Sequence, residues 1–112
     1  MKWLADKRWN SRIRTHFEAS YSSGREDGSG ILANISYSGA LLTQVSVQPR
    51  LGSQVRVYVL LIEHSPFEIV GQVVRHVEDG FAIEFADLSS EVRDLVDEAA
   101  AMVRNPAHAP TS

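Results

Sequence analysis

Two short polar motifs carry the residue types able to hold a small anion. Arg8-Trp9-Asn10-Ser11-Arg12 places two guanidinium groups four residues apart. Each is a planar fork that can bond two phosphate oxygens at once, or the O6 and N7 edge of a guanine. Asn34-Ile35-Ser36-Tyr37-Ser38-Gly39 gathers an amide, hydroxyls and a glycine into six residues. The Asn34 amide has one acceptor and two donors for a base edge. Ser36 adds a compact hydroxyl. Gly39, without a Cβ, lets a ligand or a neighbouring backbone come close. The two motifs together point to a pocket for a small, anionic, guanine-containing ligand. Taken singly, each has an ordinary reading: a solvated arginine pair on a helical turn, and a strand-to-strand turn held by Asn and Ser side chains.

The charge distribution supports a small ligand over a polymer. The chain has 112 residues and a net charge of -3. Residues 1–14 carry Lys2, Lys7, Arg8, Arg12 and Arg14 against Asp6, a net +4, which leaves -7 on the rest. A protein that coats DNA or RNA spreads positive charge over a broad face. Here it is concentrated in one short segment, and no strand shows the aromatic row of a single-strand binder. Catalysis finds little support. His16, His64, His76 and His108 form no metal-ligand spacing, and there is no nucleophile elbow or phosphate loop. Without cysteine there is neither a disulfide framework nor a thiolate metal site. No apolar run reaches the length of a membrane span and no signal-peptide core opens the chain, so the cytoplasm is the expected compartment.

The elements that must position these motifs read as strands. Ile13, Phe17, Ala19 and Tyr21 alternate as in a half-buried strand, a pattern Thr15 weakens. Ser22 to Gly30, with three glycines, reads as a turn region. Extended runs follow over Ile31 to Ser36 and Ala40 to Val47, divided by Tyr37-Ser38-Gly39. Val55, Val57 and Val59 share one face of a strand over Gln54 to Ile62. Phe67 to Val77 is a long strand with Gly71 as a bulge or close-approach point. Glu78-Asp79-Gly80 is a hairpin signal, with Asp-Gly expected to supply positive φ. Phe81 to Phe85 is the last strand. Val92, Leu95, Val96 and Ala99 then switch to helical spacing, with Ser89 or Ser90 as cap and Glu91 at the positive end of the dipole. Asn105-Pro106 ends the helix. About six short strands with tight turns would leave open edges unless the sheet curls. The expected fold is therefore mainly β: an antiparallel barrel with a C-terminal α-helix. Residues 1–12 are expected to be a flexible arm, 13–104 the barrel and helix, and 105–112 a disordered tail.

The order Arg8-x-x-x-Arg12, Asn34-x-Ser36-x-x-Gly39, Gly71-Gln72-Val73-Val74-Arg75 and the Leu88-Ser89-Ser90-Glu91 helix start resembles the PilZ domain over roughly residues 5–104. The resemblance implies a six-stranded antiparallel split barrel that binds cyclic di-GMP, a bacterial second messenger, with no cofactor or metal. It implies that Arg8 and Arg12 hold the phosphates and guanine faces, and that Asn34, Ser36 and Gly39 line the barrel surface opposite. Trp9, Arg14 and Arg75 are secondary candidates. Trp9 would shield the ligand or pack on the barrel. Arg75 would stack on a guanine, pair with a phosphate, or balance Glu78 or Asp79 at the surface, and is expected on the face opposite Val74. Two departures stand out. Asn34 sits where Asp is the more frequent family residue, which bears on affinity, and Ala82 sits where Gly is common, which bears on packing. The implied function is a receptor whose N-terminal arm reorders on ligand binding and signals to a protein partner in motility, pilus or exopolysaccharide machinery. The alternative is a PilZ-like interaction adaptor that binds no nucleotide and uses the acidic helix face from Asp94 to Glu98.

Overall fold

The computed structural model describes residues 11–61 and 65–104, with side chains described through Met102. Among the described residues six strands and one helix follow in order: β1 (Ile13–Ser22), β2 (Asp27–Ile35), β3 (Gly39–Thr43), β4 (Gln54–Leu60), β5 (Phe67–Val77), β6 (Gly80–Glu84) and α1 (Ser90–Arg104). All neighbouring pairs are antiparallel, and the order β1-β2-β3-β6-β5-β4 closes back on itself as a barrel. Closure pairs every strand on both sides over at least part of its length, which limits the open edge a sheet of such short strands would otherwise present.

The core follows from period-two alternation. β4 is the cleanest case: Val55, Val57 and Val59 are buried while Gln54, Arg56, Tyr58 and Leu60 are exposed. Inward rows run round the barrel through Tyr21, Val57 and Ile69, and through Leu32, Leu42 and Phe81. Each fully buried side chain of this size contributes roughly 1.5–3 kcal/mol of hydrophobic burial. Tyr21 and Phe81 meet edge to face, with ring centroids 5.1 Å apart. The Tyr21 hydroxyl donates to the Val47 carbonyl, so the buried phenol is satisfied. Helix α1 lays Val92, Leu95, Val96 and Ala99 against this core. Ser89 is the cap: its hydroxyl accepts the Val92 N–H at 3.1 Å.

Three sequence expectations need correction. The stretch from Ser22 to Gly30 is not one long turn, because β2 already begins at Asp27. Gly28 and Gly30 belong to the strand and serve close approach. A Cβ on Gly28 would lie 2.5 Å from the Tyr21 hydroxyl, so the ring can fold over the strand only there. The run from Ala40 to Val47 breaks after Thr43, where Gln44 takes φ 53° and the chain turns to the β5–β6 hairpin, Val45 N–H bonding the Asp79 carbonyl at 3.1 Å. The hairpin at Glu78-Asp79 forms, but Gly80 has no positive φ. A Cβ on Gly80 would sit 1.8 Å from the Leu42 carbonyl oxygen, so glycine is needed for the β3–β6 approach.

Candidate functional site

The turn between β2 and β3 is built by Ser36. Its backbone N–H bonds the Gly39 carbonyl at 2.8 Å. Its hydroxyl accepts the N–H groups of Ser38 and Gly39 at 3.2 and 3.3 Å and shares a hydrogen bond with the Ser38 hydroxyl at 3.1 Å. Ser36 is 1% exposed and its hydroxyl is satisfied, so the side chain works inward as the turn's organiser. Gly39 is fixed by its neighbour across the ladder: a Cβ would lie 2.4 Å from the Ile83 carbonyl oxygen, and φ is not positive. The close approach that glycine permits here is made by backbone. Ser38 and Phe85 join the turn to the end of β6 through a 2.9 Å bond.

Arg12 and Asn34 meet. The Arg12 Nη1 donates to Asn34 Oδ1 at 2.8 Å, across 22 residues of sequence. A guanidinium has donors only, so the amide must turn its oxygen toward Arg12, which leaves its NH₂ as the free recognition group. The second arginine of the first motif thus rests on the first residue of the second motif. Arg8 and Trp9 lie outside the described residues, as do the rest of 1–10 and the tail 105–112.

Register extends the site across the barrel. Arg14 pairs with Asn34, Asn34 with Leu41, Leu41 with Ala82, and Ala82 with Arg75. Residues directly opposite in an antiparallel pair project to the same face. These five form one outward row over five strands, about 19 Å along the curved sheet at the usual strand spacing. Arg14 and Arg75 are exposed at its two ends, with Asn34 and Leu41 half-buried between them. Ala82 is buried, 4% exposed, between the inward-pointing Phe81 and Ile83. Shorter side chains between two long cationic ones make the row a shallow trough by side-chain length alone, with cationic ends and an apolar middle.

Each register shift in the barrel flanks this row. They fall between Arg14 and Phe17, between Leu32 and Asn34, and between Val73 and Arg75. Bulges add a residue to one strand and re-aim the side chains beyond it. At the first, the Thr15 hydroxyl donates to the Leu32 carbonyl at 2.6 Å, and Thr15 keeps the half-buried place of the odd-numbered positions of β1. The third corrects the expectation that Arg75 faces away from Val74. Val74 is the extra residue, 48% exposed, and Arg75 is exposed beside it. Among the described residues the recorded ion pair is Arg56 with Glu68, and neither Glu78 nor Asp79 pairs with Arg75. Glu68, by the side-chain hydrogen bond first and its charge second, raises the Arg56 pKa.

Sequence reasoning misses Leu41 and the trough itself. The bulges that align the row leave no mark in residue type, and only the pairing reveals them.

The sequence profile of the PilZ domain matches residues 6–101. No curated protein matches the chain in sequence. Several solved structures share the fold. The Bacillus subtilis inhibitor of motility MotI/DgrA superposes with a TM-score of 0.67 at 17% identity, covering 84% of this chain and 50% of that one. The chain thus spans half the length of that relative. An uncharacterized Legionella protein gives 0.57 at 16% identity, covering 88% of this chain and 99% of that one. The PilZ domain of CeSA from a cellulose-synthesizing bacterium gives 0.58 at 15%, again covering 88% and 99%. At these identities the likeness is one of fold. No helix among the described residues is long and apolar enough to cross a membrane.

Proposed function

This chain belongs to the PilZ domain family, and on that premise we propose that it is a receptor for cyclic di-GMP that reports ligand binding to a protein partner. The observation that carries the reading is the 2.8 Å bond from Arg12 to Asn34, which joins the two motifs at one end of the trough. The ligand has two phosphates and two guanines. Arg12 is exposed, and while Nη1 stays on the Asn34 oxygen its other N–H groups meet a phosphate or a guanine edge as the ligand enters. Arg8, from outside the described residues, supplies the second fork. Asn34 reads a base edge. Ser36 and Gly39 belong to the site by fixing the turn that follows Asn34. Leu41 gives an apolar surface for a purine face, with Arg14 and Arg75 available to phosphates at either end. Trp9 covers the ligand from the arm.

Reordering of the arm over the trough is the change a partner reads. That MotI/DgrA is an inhibitor of motility makes motility machinery one class of partner to test, alongside pilus and exopolysaccharide machinery. In this reading the protein is a cytoplasmic binding module without catalytic activity.

Isothermal titration with cyclic di-GMP tests the proposal. Saturable binding at micromolar ligand is expected, and Arg8→Ala should weaken it at least tenfold, since a charge-assisted hydrogen bond is worth roughly 1.5–3 kcal/mol. A folded protein that binds nothing at tens of micromolar ligand would overturn the receptor reading. It would leave the adaptor function, with the acidic face of α1 as its contact surface.

A further inference from the structure

Helix α1 reaches the barrel through two carboxylates, six residues apart. In the first turn, Glu91 Oε2 accepts the backbone N–H of Glu68 at 2.9 Å, near the start of β5. Further along, Asp97 Oδ1 accepts the Tyr37 hydroxyl at 2.8 Å. Tyr37 stands in the middle of the Asn34–Gly39 turn, sixty positions away in sequence. Its half-buried ring packs against the core cluster.

The bonds that Ser36 makes stay inside the turn. They fix its shape but not its orientation on the barrel. The ladder pairs Ile35 with Ala40 and Gly39 with Glu84 hold its two ends, and its middle needs bonds to something outside. One is the Phe85 N–H to the Ser38 carbonyl, at the end of β6. Another, on the side of the helix, is Tyr37 to Asp97. The helix that offers Asp97 is itself pinned to β5 by Glu91 and seated by its apolar face. Tyr37 therefore hangs the turn from an element with a fixed position.

We infer that Asp97 is a positioning residue for the ligand site: through Tyr37 it holds the turn that follows Asn34 at the end of β2, and so couples α1 to the ligand site. The ligand part of this inference rests on the receptor reading; the structural part does not. By linkage, whatever tightens the turn tightens the middle of α1, and a partner that takes Asp97 loosens the turn.

The test uses Tyr37→Phe, which keeps the ring, Asp97→Ala, which removes the acceptor, Asp97→Asn, which keeps a carbonyl acceptor, and the Tyr37→Phe/Asp97→Ala double variant. Amide hydrogen exchange is followed without ligand. Tyr37→Phe and Asp97→Ala should each speed exchange at Ser36, Ser38 and Gly39 about fivefold, as loss of one hydrogen bond implies. The double variant should be no faster than either single, because both remove the same bond. Asp97→Asn should stay near wild type, and exchange at Val55, Val57 and Val59 in β4 should not move. In a cyclic di-GMP titration the affinity should fall by a similar factor in the first two variants and return in Asp97→Asn. Unchanged exchange in the turn overturns the inference whatever the ligand does. Faster exchange with unchanged affinity, in a wild type that binds, overturns the positioning role. If the wild type binds no cyclic di-GMP, the receptor reading fails and the exchange data alone judge the brace.

Discussion

The two sides of this barrel follow different rules. Around β4, the ladders to β1 and β5 keep a single register from end to end, and the side chains alternate without exception. Around the candidate site, the β1–β2, β2–β3 and β5–β6 ladders each slip by a residue, and all three slips border the row from Arg14 to Arg75. The regular side closes the barrel and fills the core. The irregular side has a second demand, to bring particular polar groups onto one line of the outer surface, and a strict pleat would not align them. A bulge disrupts the ladder locally, so the sheet bears that disruption only where the aim of a side chain matters.

The largest effects expected are backbone collisions, and they sharpen the contrast. Gly80 and Gly39 sit where β6 and β3 approach most closely, with carbonyl oxygens 1.8 and 2.4 Å from an ideal Cβ. Neither obstacle is a flexible side chain that can swing away. Gly80→Ala should destabilise by upwards of about 3 kcal/mol and lower the thermal midpoint by at least about 10 °C, with Gly39→Ala close behind. Gly52 has φ +85° but open space around it, so Gly52→Ala should cost only about 1 kcal/mol. Thermal denaturation followed by circular dichroism ranks the three. Equal losses would mean that the close β3–β6 approach is not what these glycines serve.

Next come the arginines, which divide the two sides by function. Arg12→Ala should weaken cyclic di-GMP binding about tenfold or more while leaving the thermal midpoint within about two degrees, because the side chain is exposed. Arg75→Ala should weaken it by less, since it lies at the far end of the trough. Arg56, on the regular side and paired with exposed Glu68, is the control: Arg56→Ala should change neither binding nor midpoint measurably. A loss of binding in Arg56→Ala equal to that in Arg12→Ala would break the comparison, since binding would then report general positive charge.

Ser36→Ala separates shape from contact. It strips the acceptor from the N–H groups of Ser38 and Gly39 and should cost about 1–2 kcal/mol in chemical denaturation, with weaker binding following from a looser turn. Unchanged stability would contradict the turn-organising role.

The same division explains what is legible in the sequence. β4 can be read from Val55, Val57 and Val59 alone, because burial there obeys alternation and nothing else. Helix α1 is equally plain from the spacing of Val92, Leu95, Val96 and Ala99, and Ser89 is one of two caps the sequence offers. Gly28 and Gly30 mislead because glycine marks both turns and close approach, and only the ring of Tyr21 over Gly28 tells the two apart. Arg75 stands out as a candidate by type, yet its relation to Val74 is hidden, since residue types do not announce a bulge. Asn34 and Arg12 are legible as motifs; their 2.8 Å contact is not, because register is a property of pairing. Tyr37 lies inside a motif without drawing notice, its partner Asp97 being sixty residues away.

The smallest effect expected comes from Asn34→Asp, and its sign tests how the two motifs divide their work. Asn34 has one acceptor oxygen, and Arg12 already takes it. A carboxylate has two oxygens. One can keep the arginine while the other accepts from the N1–H and N2–H edge of a guanine. The ion pair this substitution would form with Arg12 is largely solvated, so stability should move by less than about 1 kcal/mol. Affinity for cyclic di-GMP should rise a few-fold, because Arg12 and the base would no longer compete for one atom. If affinity falls instead, the added negative charge beside the phosphates outweighs the second acceptor, and the amide is the better residue for this trough. Calorimetry on the wild type and Asn34→Asp, at two salt concentrations, distinguishes these outcomes: repulsion of the phosphates fades as salt rises, whereas a lost or gained base contact does not.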